Sequence, residues 1–242
     1  MKIVFLADAH IAGLGDPNQR LLAEFLDSLS SSKNPPDKVV FLGDIFDFWM
    51  GFNEVVAREY STLLKAFVGL HKEGIDIIYL EGNHDYSMGA FFTSTLKANV
   101  YGDDCEMRLD GKRLFLSHGD RAAGEVKYSI WRWFLRNILG ELLSDLLGPA
   151  RTWQLAKYLS KQSRSCGERS ANVELGFKKF IREKISEGFD TVILAHSHKA
   201  VVERVELEGK GGLYVNPGSF SDNGSYILYE DGSYTLKEYG TE

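Results

Sequence analysis

Five of the six histidines in this chain stand in short polar clusters that follow apolar runs without a spacer. The clusters are Asp8-Ala9-His10, Gly82-Asn83-His84-Asp85, Ser117-His118-Gly119-Asp120 and His196-Ser197-His198, and Gly43-Asp44 ends a similar run without a histidine. Apolar, β-branched runs of this length read as buried strands. Each cluster therefore sits just past a carboxyl end, where ligand sites of open α/β sheets lie. Residues i and i+2 of extended backbone point to one side, so Asp8 and His10 can face one ion together. Carboxylates, an amide and imidazoles without thiolate suit Mn, Fe or Zn better than Ca or Mg, which prefer all-oxygen shells. Asp8, His10, Asp44, Asn83, Asp85, His118, His196 and His198 exceed what one four- to six-coordinate ion needs. Two divalent ions sharing a carboxylate, about 3.5–4 Å apart, would use them. A lone histidine at a strand end is more often a hydrogen-bonded structural residue than a ligand. Repetition of the pattern at one edge favours the metal site. His71, inside a helical pattern, reads as a solvated surface residue.

The elements that must position these residues follow from periodicity. Strands are expected at 3–7, 39–42, 75–80 and 191–195, and amphipathic helices at 19–29, 53–73 and 170–187. This spacing is that of βαβ units and a mainly parallel sheet. A short helix is expected at 91–96. Asp110-Gly111, between runs at 105–109 and 113–117, signals a hairpin, as does Asp231-Gly232 in a β-rich tail. Residues 124–165 read as a helical hairpin inserted into one domain spanning 1–242, with Trp131, Trp133, Trp153 and many Leu on its apolar face.

Length and charge bound the rest. The 242 residues are 44% hydrophobic, enough for a full α/β core. A net charge of −6 argues against a general nucleic-acid binder. Yet residues 121–170 carry nine Lys/Arg against four Asp/Glu, a basic segment fit for an anionic partner or simply a solvated helical face. Cys105 and Cys166 make no disulfide framework or metal spacing. The chain enters a strand at Lys2 with no signal peptide, and no 18-residue uncharged apolar run exists. A reducing, cytoplasmic setting is expected.

Taken together, Asp8-Ala9-His10, Gly43-Asp44 with Asp47, Gly82-Asn83-His84-Asp85, His118 and His196-Ser197-His198 resemble the five blocks of the calcineurin-like metallophosphoesterases, in that family's order. The resemblance implies an α/β fold, a four-layer αββα sandwich of two mixed β-sheets flanked by helices, with a dinuclear site at the sheet edge. It implies one ion held by Asp8, His10, Asp44 and His198, and a second by Asp44, Asn83, His118 and His196. It also implies phosphoester hydrolysis by water activated between the ions. His84 would contact the phosphate or protonate the leaving oxygen, and Asp85 would orient His84. The last block has Ala195 where the family usually has Gly.

The stretch 41–49, Ser117-His118-Gly119-Asp120 and the insert further resemble the UDP-2,3-diacylglucosamine pyrophosphatases. That implies cleavage of the diphosphate of a nucleotide-sugar lipid, giving 2,3-diacylglucosamine 1-phosphate (lipid X) and UMP, with Mn²⁺ as the expected metal. It implies a protein peripheral to the cytoplasmic face of the inner membrane, its insert acting as a lid. Substrate contacts would fall on Asn83, His84, Glu125, Ser160, Arg164 and His196. The chain departs from that pattern at Glu125, which stands about where the group has Asp, at Arg164, at Gly167, where it has Lys, and at His84, where it typically has Arg. A phosphodiesterase of another nucleotide or phospholipid is the alternative, and a non-catalytic scaffold of this fold a remote one. Acyl-chain length and oligomeric state stay open.

Overall fold

Strand β1 (Ile3–Leu6) is apolar and buried at every position, because it is covered on both faces. Val4 and Leu6 belong to one apolar cluster, Ile3 and Phe5 to another, since alternate side chains leave opposite faces of a strand. β2 (Lys38–Phe41) and β4 (Asp76–Leu80) divide in the same way. Val39, Phe41, Ile77 and Tyr79 go to the first cluster, and Val40, Ile78 and Leu80 to the second. Continuous apolar runs are the mark of such doubly covered strands.

The computed structural model describes residues 1–50, 58–122, 171–207 and 209–240. The expected insert at 124–165 and the first residues of the expected helix at 53–73 lie outside the described residues. Further strands are β3 (Trp49–Met50), β5 (Asp85–Tyr86), β6 (Asn99–Tyr101), β7 (Cys105–Leu109), β8 (Lys112–Ser117), β9 (Thr191–Leu194), β10 (Val201–Leu207), β11 (Lys210–Asn216), β12 (Ser225–Glu230) and β13 (Ser233–Glu238). One sheet has the order β13-β12-β1-β2-β4-β6, the other β10-β11-β9-β8-β7. In the first, β1, β2, β4 and β6 are parallel, with Val4 opposite Val39 and Val39 opposite Ile77. β12 and β13 add antiparallel strands. In the second, β8, β9 and β11 are parallel, with β7 and β10 antiparallel at the edges.

Leu114, Leu116, Ile193 and Val215 of the second sheet meet Ile3, Phe5, Val40 and Leu80 of the first. Helices α1 (Pro17–Ser30) and α2 (Ser61–Lys72) cover the outer face of the first sheet through Leu22, Phe25, Leu63 and Phe67. Helix α3 (Ala171–Ser186) covers the second through Phe177, Ile181 and Ile185. The layers are therefore helix, sheet, sheet, helix. α1 begins at Asp16, whose carboxylate accepts from the Asn18 amide, with Pro17 in the first turn.

Both sheets are mixed, as the resemblance implied, and the two expected hairpins add antiparallel strands. Asp110-Gly111 and Asp231-Gly232 each hold two consecutive positive φ angles, 49° and 78°, then 51° and 79°, the turn that matches strand twist. Residues Phe91–Thr95 form a π-helical turn instead of a regular helix. β6 was not foreseen, because three residues carry too little periodicity.

The loop after β2 is gripped from below. Phe46 packs against Trp49 and Tyr60 with ring centroids 4.5 and 4.8 Å away. The Tyr60 hydroxyl donates to the Phe48 carbonyl (3.1 Å), and Trp49 Nε1 to the Met88 carbonyl (3.2 Å). That loop carries Asp44.

Candidate metal centre

Each expected residue is delivered by the carboxyl end of a central strand. Asp8 and His10 follow β1, Asp44 follows β2, and Asn83 and His84 follow β4. His118 follows β8, and His196 and His198 follow β9. The loops stay paired past the strands: the His10 amide donates to the Asp44 carbonyl (2.9 Å), and the Ala195 amide to the His118 carbonyl (2.9 Å). Five of these residues take left-handed backbone, with φ of 52° at Asp8, 46° at His10, 54° at Asp44, 64° at His196 and 56° at His198. Such conformations cost about 1–3 kcal/mol each for non-glycine residues and concentrate where a side chain must be aimed. Ala195 is not among the positive-φ residues, so alanine fits where the family pattern has glycine.

Two glycines let the loops approach. A Cβ on Gly43 would lie 2.7 Å from Gly82 Cα, and one on Gly82 would lie 2.2 Å from Asp44 Oδ1. Only hydrogen fits there.

The donors gather in two neighbouring groups, Asp8 with His10 and His198, and Asp44 with His118 and His196; the donor atoms within each lie within 4.8 Å of one another. Around His118 Nε2 stand Asn83 Oδ1 at 3.0 Å, His196 Nδ1 at 3.1 Å and Asp44 Oδ2 at 3.3 Å. One ring nitrogen has a single proton or a single lone pair and cannot satisfy three such neighbours. Donors held about 2.0–2.2 Å from one cation stand about 3.0–3.6 Å from each other. In the first group His10 Nε2 and His198 Nε2 are 3.4 Å apart, and Asp8 Oδ1 is 3.6 Å from His198 Nε2. Asp8 Oδ1 is buried with no hydrogen-bond partner among the described residues, while Oδ2 accepts from the His196 amide (3.0 Å). The donor set fits two divalent cations. Asp44 stands between the groups: His84, too, has a donor within 4.8 Å of those of His10 and Asp44.

The electrostatics agree. Burial pushes the Asp8 carboxyl well above its usual range, against the pull of His118. Burial acts on Asp44 likewise, but the charges of His118, His84 and His10 bring it well below the usual range. Burial lowers His118, yet Asp44, then Asp8 and Asp120, carry it up to about 10. His196 is held down by burial and by its neighbour His118.

The structure corrects the role expected of Asp85. Its Oδ1 accepts from the amides of Asp44 (2.9 Å) and Gly82 (2.8 Å), and Oδ2 from the Ile45 amide (2.7 Å) and the Tyr79 hydroxyl. A fully buried carboxylate needs such donors, so Asp85 holds the Asp44 loop instead of orienting His84. Burial, then the charge of Asp44, push its carboxyl up to about 6. His84 is held by Asp47: its Nδ1 lies 3.0 Å from the Asp47 carbonyl and 4.0 Å from the carboxylate. Asp47 entered the sequence reading only as part of the second motif block, with no role given to it. Of the expected substrate contacts, Asn83, His84 and His196 stand at this centre, whereas Glu125, Ser160 and Arg164 lie outside the described residues.

The family model described as calcineurin-like phosphoesterase matches residues 1–200. A UDP-2,3-diacylglucosamine hydrolase of Porphyromonas gingivalis is 34% identical over 175 residues, 69% of this chain and 65% of that protein, just under two thirds of its length. One from Psychromonas ingrahamii is 23% identical over 232 residues, 94% of this chain and 93% of the relative. Among solved structures, a novel archaeal phosphodiesterase aligns over 98% of this chain and 99% of its own at 15% identity, with a TM-score of 0.55, a likeness of fold. With the matched family model spanning all five clusters that build the centre, the chain belongs to the calcineurin-like phosphoesterase family.

Proposed function

We propose that this chain hydrolyses the diphosphate of UDP-2,3-diacylglucosamine to 2,3-diacylglucosamine 1-phosphate and UMP. The observation that carries the reaction class is the crowding of Asn83, His196 and Asp44 donors around His118 Nε2. The substrate rests on the relatives named UDP-2,3-diacylglucosamine hydrolase. Asp8, His10, Asp44 and His198 would hold one cation, and Asp44, Asn83, His118 and His196 the other, with Mn²⁺ suited to this mixture and Fe or Zn as alternatives. Bound there, two such cations lower the pKa of water and neutralise phosphoryl charge.

The chain's own groups supply position and a proton. His84 Nδ1 lies against the Asp47 carbonyl, and Nε2 would meet the phosphate. A proton on Nε2 passes to the leaving oxygen, and the Asp47 carboxylate steadies the cationic ring. Asp85 keeps the Asp44 loop in place throughout. No helix of the described residues is long and apolar enough to cross a membrane. A peripheral station at the cytoplasmic face of the inner membrane accords with that and with the basic segment 121–170.

Incubation with UDP-2,3-diacylglucosamine and Mn²⁺ is expected to release UMP. Hydrolysis of simple phosphodiesters without UMP release would overturn the substrate and favour a phosphodiesterase of another nucleotide or phospholipid. His84 favours that second reading, since the narrower group typically has Arg there.

A further inference from the structure

A histidine that binds a cation through one nitrogen carries its proton on the other, and the partner of that second nitrogen fixes ring and tautomer. Two rings at this centre have backbone partners: His118 Nδ1 faces the Leu42 carbonyl at 2.8 Å and His84 Nδ1 the Asp47 carbonyl at 3.0 Å. His198 differs. Its Nε2 points inward, 3.4 Å from His10 Nε2 and 3.6 Å from Asp8 Oδ1, and its Nδ1 lies 3.8 Å from Asp222 Oδ2. Asp222 lies in the short helix α4 (Phe220–Asn223), past strand β11.

That helix is anchored to the metal centre itself. The Ser219 hydroxyl and the Ser221 amide donate to the Asp8 carbonyl (3.1 and 3.2 Å), and the Phe220 amide to the Ala7 carbonyl (3.0 Å). Behind the histidine pair, Asn216 Nδ2 donates to the Ser197 hydroxyl (3.0 Å) and the Ala195 carbonyl (3.2 Å). The strand end that carries His198 and the turn that carries Asp222 are therefore tied to each other and to Asp8.

Resting on the two-cation reading above, we propose that Asp222 is a positioning residue for His198. Its carboxylate holds the proton on Nδ1, so that Nε2 offers its lone pair to the cation shared with Asp8 and His10. At 3.8 Å the pairing is electrostatic. A carboxylate here makes this ring a stronger donor than a carbonyl partner would.

The test is a Mn²⁺ titration of metal-stripped protein, following free Mn²⁺ by electron paramagnetic resonance. Wild type is expected to bind two equivalents. Asp222→Asn is expected to weaken one equivalent about 10-fold and leave the other unchanged, with Asp222→Glu recovering part of the loss. Asp222 is 56% exposed, so an unchanged melting curve of metal-free Asp222→Asn checks that the fold is intact. Wild-type affinity for both equivalents in Asp222→Asn would overturn the inference. Fewer than two equivalents in wild type would overturn the two-cation reading, and the inference with it.

Discussion

Within Gly82-Asn83-His84-Asp85 each polar side chain faces a different part of the centre. Asn83 Oδ1 meets His118 Nε2, the His84 ring turns toward Asp47, and Asp85 turns away under the Asp44 loop. Three neighbouring polar side chains thus face three different partners. The sequence disclosed that the tetrapeptide mattered. It misjudged Asp85, because adjacency in sequence says nothing of which amides lie within reach of a carboxylate. If His84 acts on the substrate and binds no ion, His84→Ala is expected to cut turnover about 10²–10⁴-fold, the range for a positioned acid. Metal analysis is expected to return two ions per chain, and loss of one would make His84 a ligand.

At the scale of elements, the centre depends on how closely two loops can run. The turns after β2 and β4 touch backbone to backbone at Gly43 and Gly82, and Asp44 fills the space beside Gly82. Gly82→Ala is expected to push Asp44 aside, lowering metal content below two ions and stability by about 2 kcal/mol, as overpacking does. Gly74→Ala is the contrast. Gly74 has a φ of 74° and nothing within 4 Å, so only backbone strain of about 1 kcal/mol is expected, with both ions kept. Chemical denaturation beside metal analysis separates the two. Gly43 was legible as part of a motif, but its contact with Gly82 was not, since 39 positions separate them. The left-handed Asp and His residues were equally hidden, because their side chains announce polarity and not backbone geometry.

At the scale of the molecule, two sheets and two sets of helices bring five strand ends to one edge, and buried carboxylates collect there with imidazoles. Removing the cations takes countercharge from Asp8 and Asp44, so chelation is expected to lower the melting temperature and Mn²⁺ to restore it. Free ion at 100 times its dissociation constant stabilises the fold by about 2.7 kcal/mol per site. Calorimetry with and without chelator checks this, and an unchanged melting temperature would contradict the cation sites. The sequence by itself determined the polar residue types at the strand ends, the strands that carry them and the family. Those follow from a local rule, in which an apolar run ends and polar residues begin. Only the tertiary structure decided that β1, β2 and β4 split their side chains between two cores, that Asp85 braces a loop, and that Asp222 reaches a histidine 24 positions earlier. Such pairings are made by packing between segments distant along the chain, and no local pattern of residues records them.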